Sequence, residues 1–300
     1  MNLKRPTVAV LFLLLCLATG WLLAEVVAPK PVIGLLRLDG GRIIDSNEAE
    51  RLVSALAAAE MNDQVAGIVL EIDTPGGSAI SSELIQEAIM RVRQSKPVVA
   101  SVTGMATSGG YLVAVATDMI YASPSAAIGS VGAITMQPGD PTLPPGALFT
   151  GPYKPDGGSR FDQIRQLDIV KQSFAGGVIA LRSRAPNPIN IDMQTLTEAR
   201  VYLGREALTL GLIDFEGSRL DAVQAAAELA GVRHFDLVEL DSYLLLPAPT
   251  PTPENGLPLF SALDQQQAET ILFLDSRFVP ELRLSPLDRP SFVPGLSTSP

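Results

Sequence analysis

Ser108 stands in the run "ATSGGY", a hydroxyl with Gly109 and Gly110 directly behind it. Such glycines admit either a tight strand-to-helix packing turn or the close approach of a substrate backbone. A second run, "DTPGGS" (73–78), has the same layout after an apolar segment. Alone, a glycine pair of this kind is more often a packing turn than a binding one. A phosphate loop is the rival reading, but no Gly-Lys-Ser/Thr follows and the wider spacing is absent. Side by side at one edge of a parallel sheet, the two turns allow acyl-transfer chemistry. One would carry the nucleophile, and the other an N–H for the negative charge that develops on the attacked carbonyl.

A serine nucleophile needs a base. His234, in "GVRHFDL", is the only histidine, so a Ser-His-Asp triad must use it or not exist. It heads a late strand with no glycine turn beside it, a context that suits a structural or surface role. A lysine replaces histidine where burial keeps it uncharged. Lys154, in "GPYKPDGG", lies in an irregular stretch able to fold back over the serine. Lys171 is mid-helix on a solvated face and Lys96 precedes Pro97 ahead of a strand; both read as surface lysines. With one Cys and one His there is no intramolecular disulfide and a poor basis for zinc, so no metal is implied.

These residues need a scaffold, and the hydrophobic pattern supplies one. Strands are expected at 31–40, 65–73 and 96–104, with short ones at "MIYAS" and "AIGSVGAI". Helices are expected at 47–61, started by Asn47 and Glu50, at 79–95, after Ser108, and from Phe161 to about Arg184. Further on, "NIDMQTLTEARVYLGREALTLGLIDFEG" reads as a turn, a short helix and the strand "GLIDFEG", followed by another helix. This alternation indicates an α/β domain with mainly parallel pairing. The Pro- and Gly-rich stretch 136–160 interrupts it as a loop or extended excursion.

The ends differ from the middle. Lys4 and Arg5 precede an apolar run from Val8 to Ala24, on the border between a signal-peptide core and a spanning helix. No small-x-small cleavage site closes it, and Trp21 sits where an interfacial anchor belongs. The expectation is an uncleaved, single-pass anchor with its basic end in the cytoplasm and the domain exported. Cys16 follows Leu15, not a small residue, which argues against lipidation. The domains expected are 1–30, the anchor or signal segment; 31–243, the catalytic domain; and 244–300, a Pro-rich flexible tail. A net charge of −10 excludes nucleic acid as a partner, since phosphate contacts need clustered Lys and Arg.

Over roughly residues 31–240 the chain resembles the signal peptide peptidase A proteases, membrane-associated serine proteases of family S49 with the Clp protease/crotonase-like fold. The motifs that carry the resemblance are "LEIDTPGGS", "KPVVASVTGMATSGGYLVAVATDMIYASPSAAIGSVGAI", "TGPYK" and "ALTLGLIDFEG", in that order. The resemblance implies Ser108 as nucleophile, Lys154 as general base and Ser130 as the serine that orients the lysine. It places Gly76 and Gly109 in the turns of the oxyanion hole. It also implies a homo-oligomer, no cofactor, and peptide substrates such as remnant signal peptides. Two departures stand out: "DTPGG" replaces the commoner "DSPGG", as in a related group of membrane-bound Clp-like proteases, and the Pro-rich segment before Lys154 is short. Two readings compete: a non-catalytic Clp-like scaffold for membrane protein assembly, which has no need of Ser108 and Lys154, and an acyl-CoA enzyme, which needs a basic patch.

Overall fold

The computed structural model of the protein describes residues 10, 12–20, 30–38, 40–135, 148, 150, 151, 153, 154 and 158–244. The strands are β1 (Val32–Leu38), β2 (Val65–Thr74), β3 (Val98–Thr107), β4 (Met119–Ala122), β5 (Ala127–Gly129), β6 (Val201–Leu203), β7 (Phe215–Glu216) and β8 (Asp236–Glu239). The helices are α1 (Ser46–Met61), α2 (Ala79–Val92), α3 (Gly109–Val115), α4 (Arg160–Arg182), α5 (Met193–Leu196), α6 (Gly204–Thr209), α7 (Arg219–Leu229) and α8 (Leu240–Tyr243). One sheet runs in the order β6-β5-β3-β2-β1-β8, with β4 also paired to β3, and β7 paired to β4. Every pairing is parallel except β5 with β6.

Side chains alternate across the strands, and both faces are covered. Leu36, Leu38, Ile68, Leu70, Ile72, Val98, Ala100 and Val102 face the main core, which takes in buried residues of α1, α2, α3 and α4. Ile33, Leu35, Val69 and Val99 face the other way, onto Ala222, Val223 and Ala226 of α7. Parallel strands buried on both sides need continuous apolar runs, which is what "VVASV" and "GIVLEI" supply.

Several boundaries differ from expectation. The first helix starts at Ser46 because Asp45, not Asn47, caps it, accepting the Glu48 N–H at 2.8 Å. β3 runs three residues further, to Thr107, which sets Ser108 at the strand's very end. The strand expected at "GLIDFEG" contracts to Phe215–Glu216: the Asp214 carboxylate takes the Ile120 N–H at 2.8 Å in place of a ladder carbonyl. "VYL" forms β6, an edge strand antiparallel to β5 that its three residues did not announce. Residues 12–20 are helical and exposed, and among the described residues no helix is long and apolar enough to cross a membrane. The rest of the expected anchor, the segment 136–147 and the tail 245–300 lie outside the described residues.

Candidate active site

Because β2 and β3 are parallel neighbours, the turns that follow them meet at one edge of the sheet. Their contact is close enough to demand glycine. Gly76 has φ +102, and a Cβ on it would lie 2.8 Å from Gly109 N and 2.9 Å from Ser108 Cβ. A Cβ on Gly109 would lie 2.2 Å from Ser82 Oγ, and one on Gly110 would lie 2.6 Å from Thr74 Cγ2. The glycines of "DTPGGS" and "TSGGY" therefore serve one junction, where the two turns touch through their backbones.

Ser108 sits in this junction in an unusual state. Its backbone has φ 54 and ψ −123, a region that costs a residue with a side chain on the order of 1–3 kcal/mol. It occupies the N-cap position of α3, where a serine normally accepts an N–H two or three residues on, yet it makes no such bond. Its Oγ is fully buried and has no hydrogen-bond partner among the described residues. Leaving a buried hydroxyl unpaired costs about 1–3 kcal/mol. A strained backbone and an unpaired hydroxyl at one residue mark a position kept for something other than stability.

Donors for a negative charge lie alongside. Gly109 N–H, at the first position of α3, has no acceptor among the described residues. In the other turn the Gly76 N–H donates to Thr74 Oγ1 at 3.2 Å. Gly77 N–H has no acceptor among the described residues, and its nitrogen lies 3.3 Å from where a Cβ on Gly109 would sit. Sequence reasoning named Gly76 and Gly109. The unengaged donor of the first turn is Gly77, and a Gly-Gly doublet by itself cannot say which of its amides is free.

Ser130 joins the same neighbourhood through the sheet. Thr107 pairs with Gly129, and the Ser108 N–H donates to Gly129 O at 2.8 Å, so Ser130 begins beside Ser108. Ser130 is buried, has φ 55, and its N–H donates to Arg200 O at 2.8 Å. Lys154 is exposed, with its own N–H directed to Gly151 O at 3.4 Å. His234 is exposed ahead of β8. Since β1, β2, β3 and β8 are all parallel, a residue before β8 lies at the opposite end of the sheet from one after β3. Within one subunit, His234 and Ser108 therefore lie at opposite ends of the sheet. Lys171 pairs with Asp168 at 2.6 Å on the outside of α4. Lys96, read as an ordinary surface lysine, instead closes the end of α1, where its Nζ donates to Ala59 O (2.7 Å) and Asn62 O (2.6 Å). Partial burial lowers its pKa, against the opposing pull of Asp63 and Glu60.

The Gly109 contact gives a direct test of the junction. Gly109→Ala should cost about 1–3 kcal/mol of stability and most of any activity, because Ser82 Oγ has no room to yield. That hydroxyl is already bound to Ser78 O at 2.8 Å. Adding Ser82→Ala removes the 2.2 Å contact, leaving Ser82 Cβ at 3.2 Å and Gly77 N at 3.3 Å from the new methyl, and should recover part of the loss in thermal unfolding. A double variant no more stable than Gly109→Ala alone would contradict this packing.

Comparison with known proteins adds a family. The sequence profile of peptidase family S49 matches residues 90–139, the stretch that holds β3, Ser108 and Ser130. Protease 4 of Salmonella typhi is 31% identical over 221 residues, 66% of this chain and 34% of that protein. The chloroplastic serine protease SPPA of Arabidopsis thaliana is 29% identical over 229 residues, 70% of this chain and 32% of that protein. The chain thus spans about a third of the length of these two relatives. A solved membrane-bound stomatin-specific protease superposes with a TM-score of 0.45 at 20% identity, over 66% of this chain and 86% of that one.

Proposed function

Because the chain belongs to peptidase family S49, we propose that it is a serine endopeptidase with Ser108 as nucleophile and Lys154 as general base. The observation that carries this reading is the buried Ser108 Oγ, unpartnered among the described residues, at the junction where the N–H groups of Gly109 and Gly77 have no acceptor among those residues either. Ser108 attacks the peptide carbonyl, and Lys154 takes the hydroxyl proton and passes it to the leaving amine. The N–H groups of Gly109 and of the Gly76-Gly77 turn hold the oxygen as its charge develops. Water then releases the acyl group by the same route. Ser130, whose backbone lies next to Ser108, orients the lysine. Lys154 is exposed, so it has to come to Ser108 in the working enzyme.

Substrates in this reading are apolar peptides such as remnant signal peptides. The apolar N-terminal run attaches the enzyme to the cell membrane with its catalytic domain outside the cytoplasm, and the active form is a homo-oligomer. The non-catalytic scaffold gains no support, since a scaffold has no use for a strained, unpaired serine.

A fluorophosphonate probe on the full-length protein tests the proposal. Wild-type protein should take the label and Ser108→Ala should not. Lys154→Arg should hydrolyse peptide as poorly as Lys154→Ala, because a guanidinium stays charged and cannot accept the serine proton. His234→Ala should keep most of the activity. A dead His234 variant beside an active Lys154 variant would refute the dyad.

A further inference from the structure

Thr74 closes β2, is fully buried, and touches three pieces of backbone at once. Its hydroxyl donates to Arg42 O at 2.5 Å and accepts the Gly76 N–H at 3.2 Å. Its Cγ2 rests on Gly110, 2.6 Å from where a Cβ would be. The segment 41–44 that it grips is laid along the 73–78 turn by three backbone bonds. Gly41 N–H donates to Asp73 O (3.0 Å), Ile44 N–H to Gly76 O (2.9 Å) and Ser78 N–H to Ile44 O (2.8 Å).

These bonds divide the labour around Gly76. Glycine at φ +102 has other accessible conformations, so the two peptide units that meet at it turn easily unless each is held. Ile44 N–H holds the Gly76 carbonyl, in the peptide unit that carries the Gly77 N–H; in the preceding unit Thr107 Oγ1 donates to Pro75 O at 3.1 Å and Thr74 Oγ1 accepts the Gly76 N–H. A hydroxyl has one proton, and here it is committed to Arg42 O, so a lone pair is left facing Gly76. We propose that Thr74 is a positioning residue for the peptidase centre: its hydroxyl fixes the Gly76-Gly77 turn against the 41–44 segment so that Gly77 N–H meets the carbonyl oxygen of the reacting peptide. The proposal rests on the serine peptidase reading and deepens it. Without the hydroxyl, Gly76 N–H is released and the Pro75-Gly76 unit keeps only its Thr107 anchor, so it can tilt and carry the adjoining Gly76-Gly77 unit, whose N–H is the donor, out of aim. A misplacement of about 1 Å in such a group costs on the order of 100-fold in rate.

Thr74→Val and Thr74→Ser in the full-length protein separate hydroxyl from shape. Valine keeps the volume and loses the hydroxyl. Its kcat for peptide hydrolysis should fall about 10–100-fold with KM within about threefold of wild type, and fluorophosphonate labelling of Ser108 should slow in parallel. Serine keeps the hydroxyl and loses the methyl that rests on Gly110. It should unfold at a lower temperature yet keep kcat within about threefold, a separation that a merely structural residue would not show. A Val variant labelled and turning over at the wild-type rate overturns the role of Thr74 and leaves the peptidase reading standing. Wild-type protein that takes no probe overturns both. If the Val variant does not fold, the Ser variant decides: a kcat at least tenfold below wild type would show that the hydroxyl is not the agent.

Discussion

Ser108→Ala should abolish peptide hydrolysis while leaving the protein as stable as before, or more so. The first half follows from chemistry: without Oγ there is no acyl-enzyme, and loss of a nucleophile in such centres costs at least about three orders of magnitude. The second half runs against the usual experience with buried residues. Ordinary buried serines lose a bond on truncation; Ser82 is one, donating to Ser78 O at 2.8 Å, and Ser82→Ala should cost about 1 kcal/mol. Ser108 Oγ has no bond to lose among the described residues, and removing it relieves a desolvated hydroxyl worth about 1–3 kcal/mol. Alanine has the same Cβ, so the strain at φ 54 is unchanged. Thermal unfolding of the two variants beside wild type, with hydrolysis measured on the same samples, gives the contrast. A Ser108 variant that melts well below wild type and still turns over would mean that the hydroxyl is structural.

How much of this was legible in the sequence depends on whether the information is local. The two glycine turns were legible because each follows a long apolar run and precedes a helical pattern, so their meeting at one sheet edge required only that β2 and β3 be parallel neighbours. The unpaired state of Ser108 was not legible, since "TSGGY" reads equally as a capping serine. Which glycine of the doublet presents its N–H depends on Thr74 and on Ile44, thirty-two residues upstream of Gly76, and no pattern within the motif encodes that. β6 escaped because three residues at an edge have no periodicity to read; their partner, β5, is what makes them a strand. Lys96 looked idle because its acceptors, Ala59 and Asn62, belong to the end of a helix more than thirty residues away. Lys154 lies in a Pro- and Gly-rich stretch whose composition gives no period, so its number could be named and its position could not.

The least legible feature predicts the largest effect on stability. Arg182, near the end of α4, and Asp214, just before β7, form a buried ion pair with side chains 3% and 0% exposed. Arg182 Nη1 donates to Asp214 Oδ2 at 2.8 Å and Nη2 to Oδ1 at 3.0 Å, while Nε donates to Gly211 O at 2.9 Å. The carboxylate also accepts Ile120 N–H (2.8 Å) and Asn187 N–H (3.1 Å), so α4, β4 and the 187 loop all converge on it. Asp214→Ala should therefore cost about 3–5 kcal/mol, lowering Tm by on the order of 10 °C, because a buried guanidinium is left without a counter-charge. Arg182→Met should cost less, since the stranded carboxylate keeps its two backbone donors and can take up a proton, whereas the guanidinium cannot shed one. The damage should also reach α3, the helix that Ser108 caps. Tyr111 of α3, whose phenol burial pushes well above its ordinary pKa, donates to Leu212 O at 2.8 Å within the same 211–214 segment. Loss of Asp214 frees that segment and with it the support beneath Ser108. If the pair acts as a unit, combining Asp214→Ala with Arg182→Met should give a protein more stable than Asp214→Ala alone, because the second change removes the stranded charge. Costs that simply add would mean that the two side chains stabilise the fold independently, each through its backbone partners.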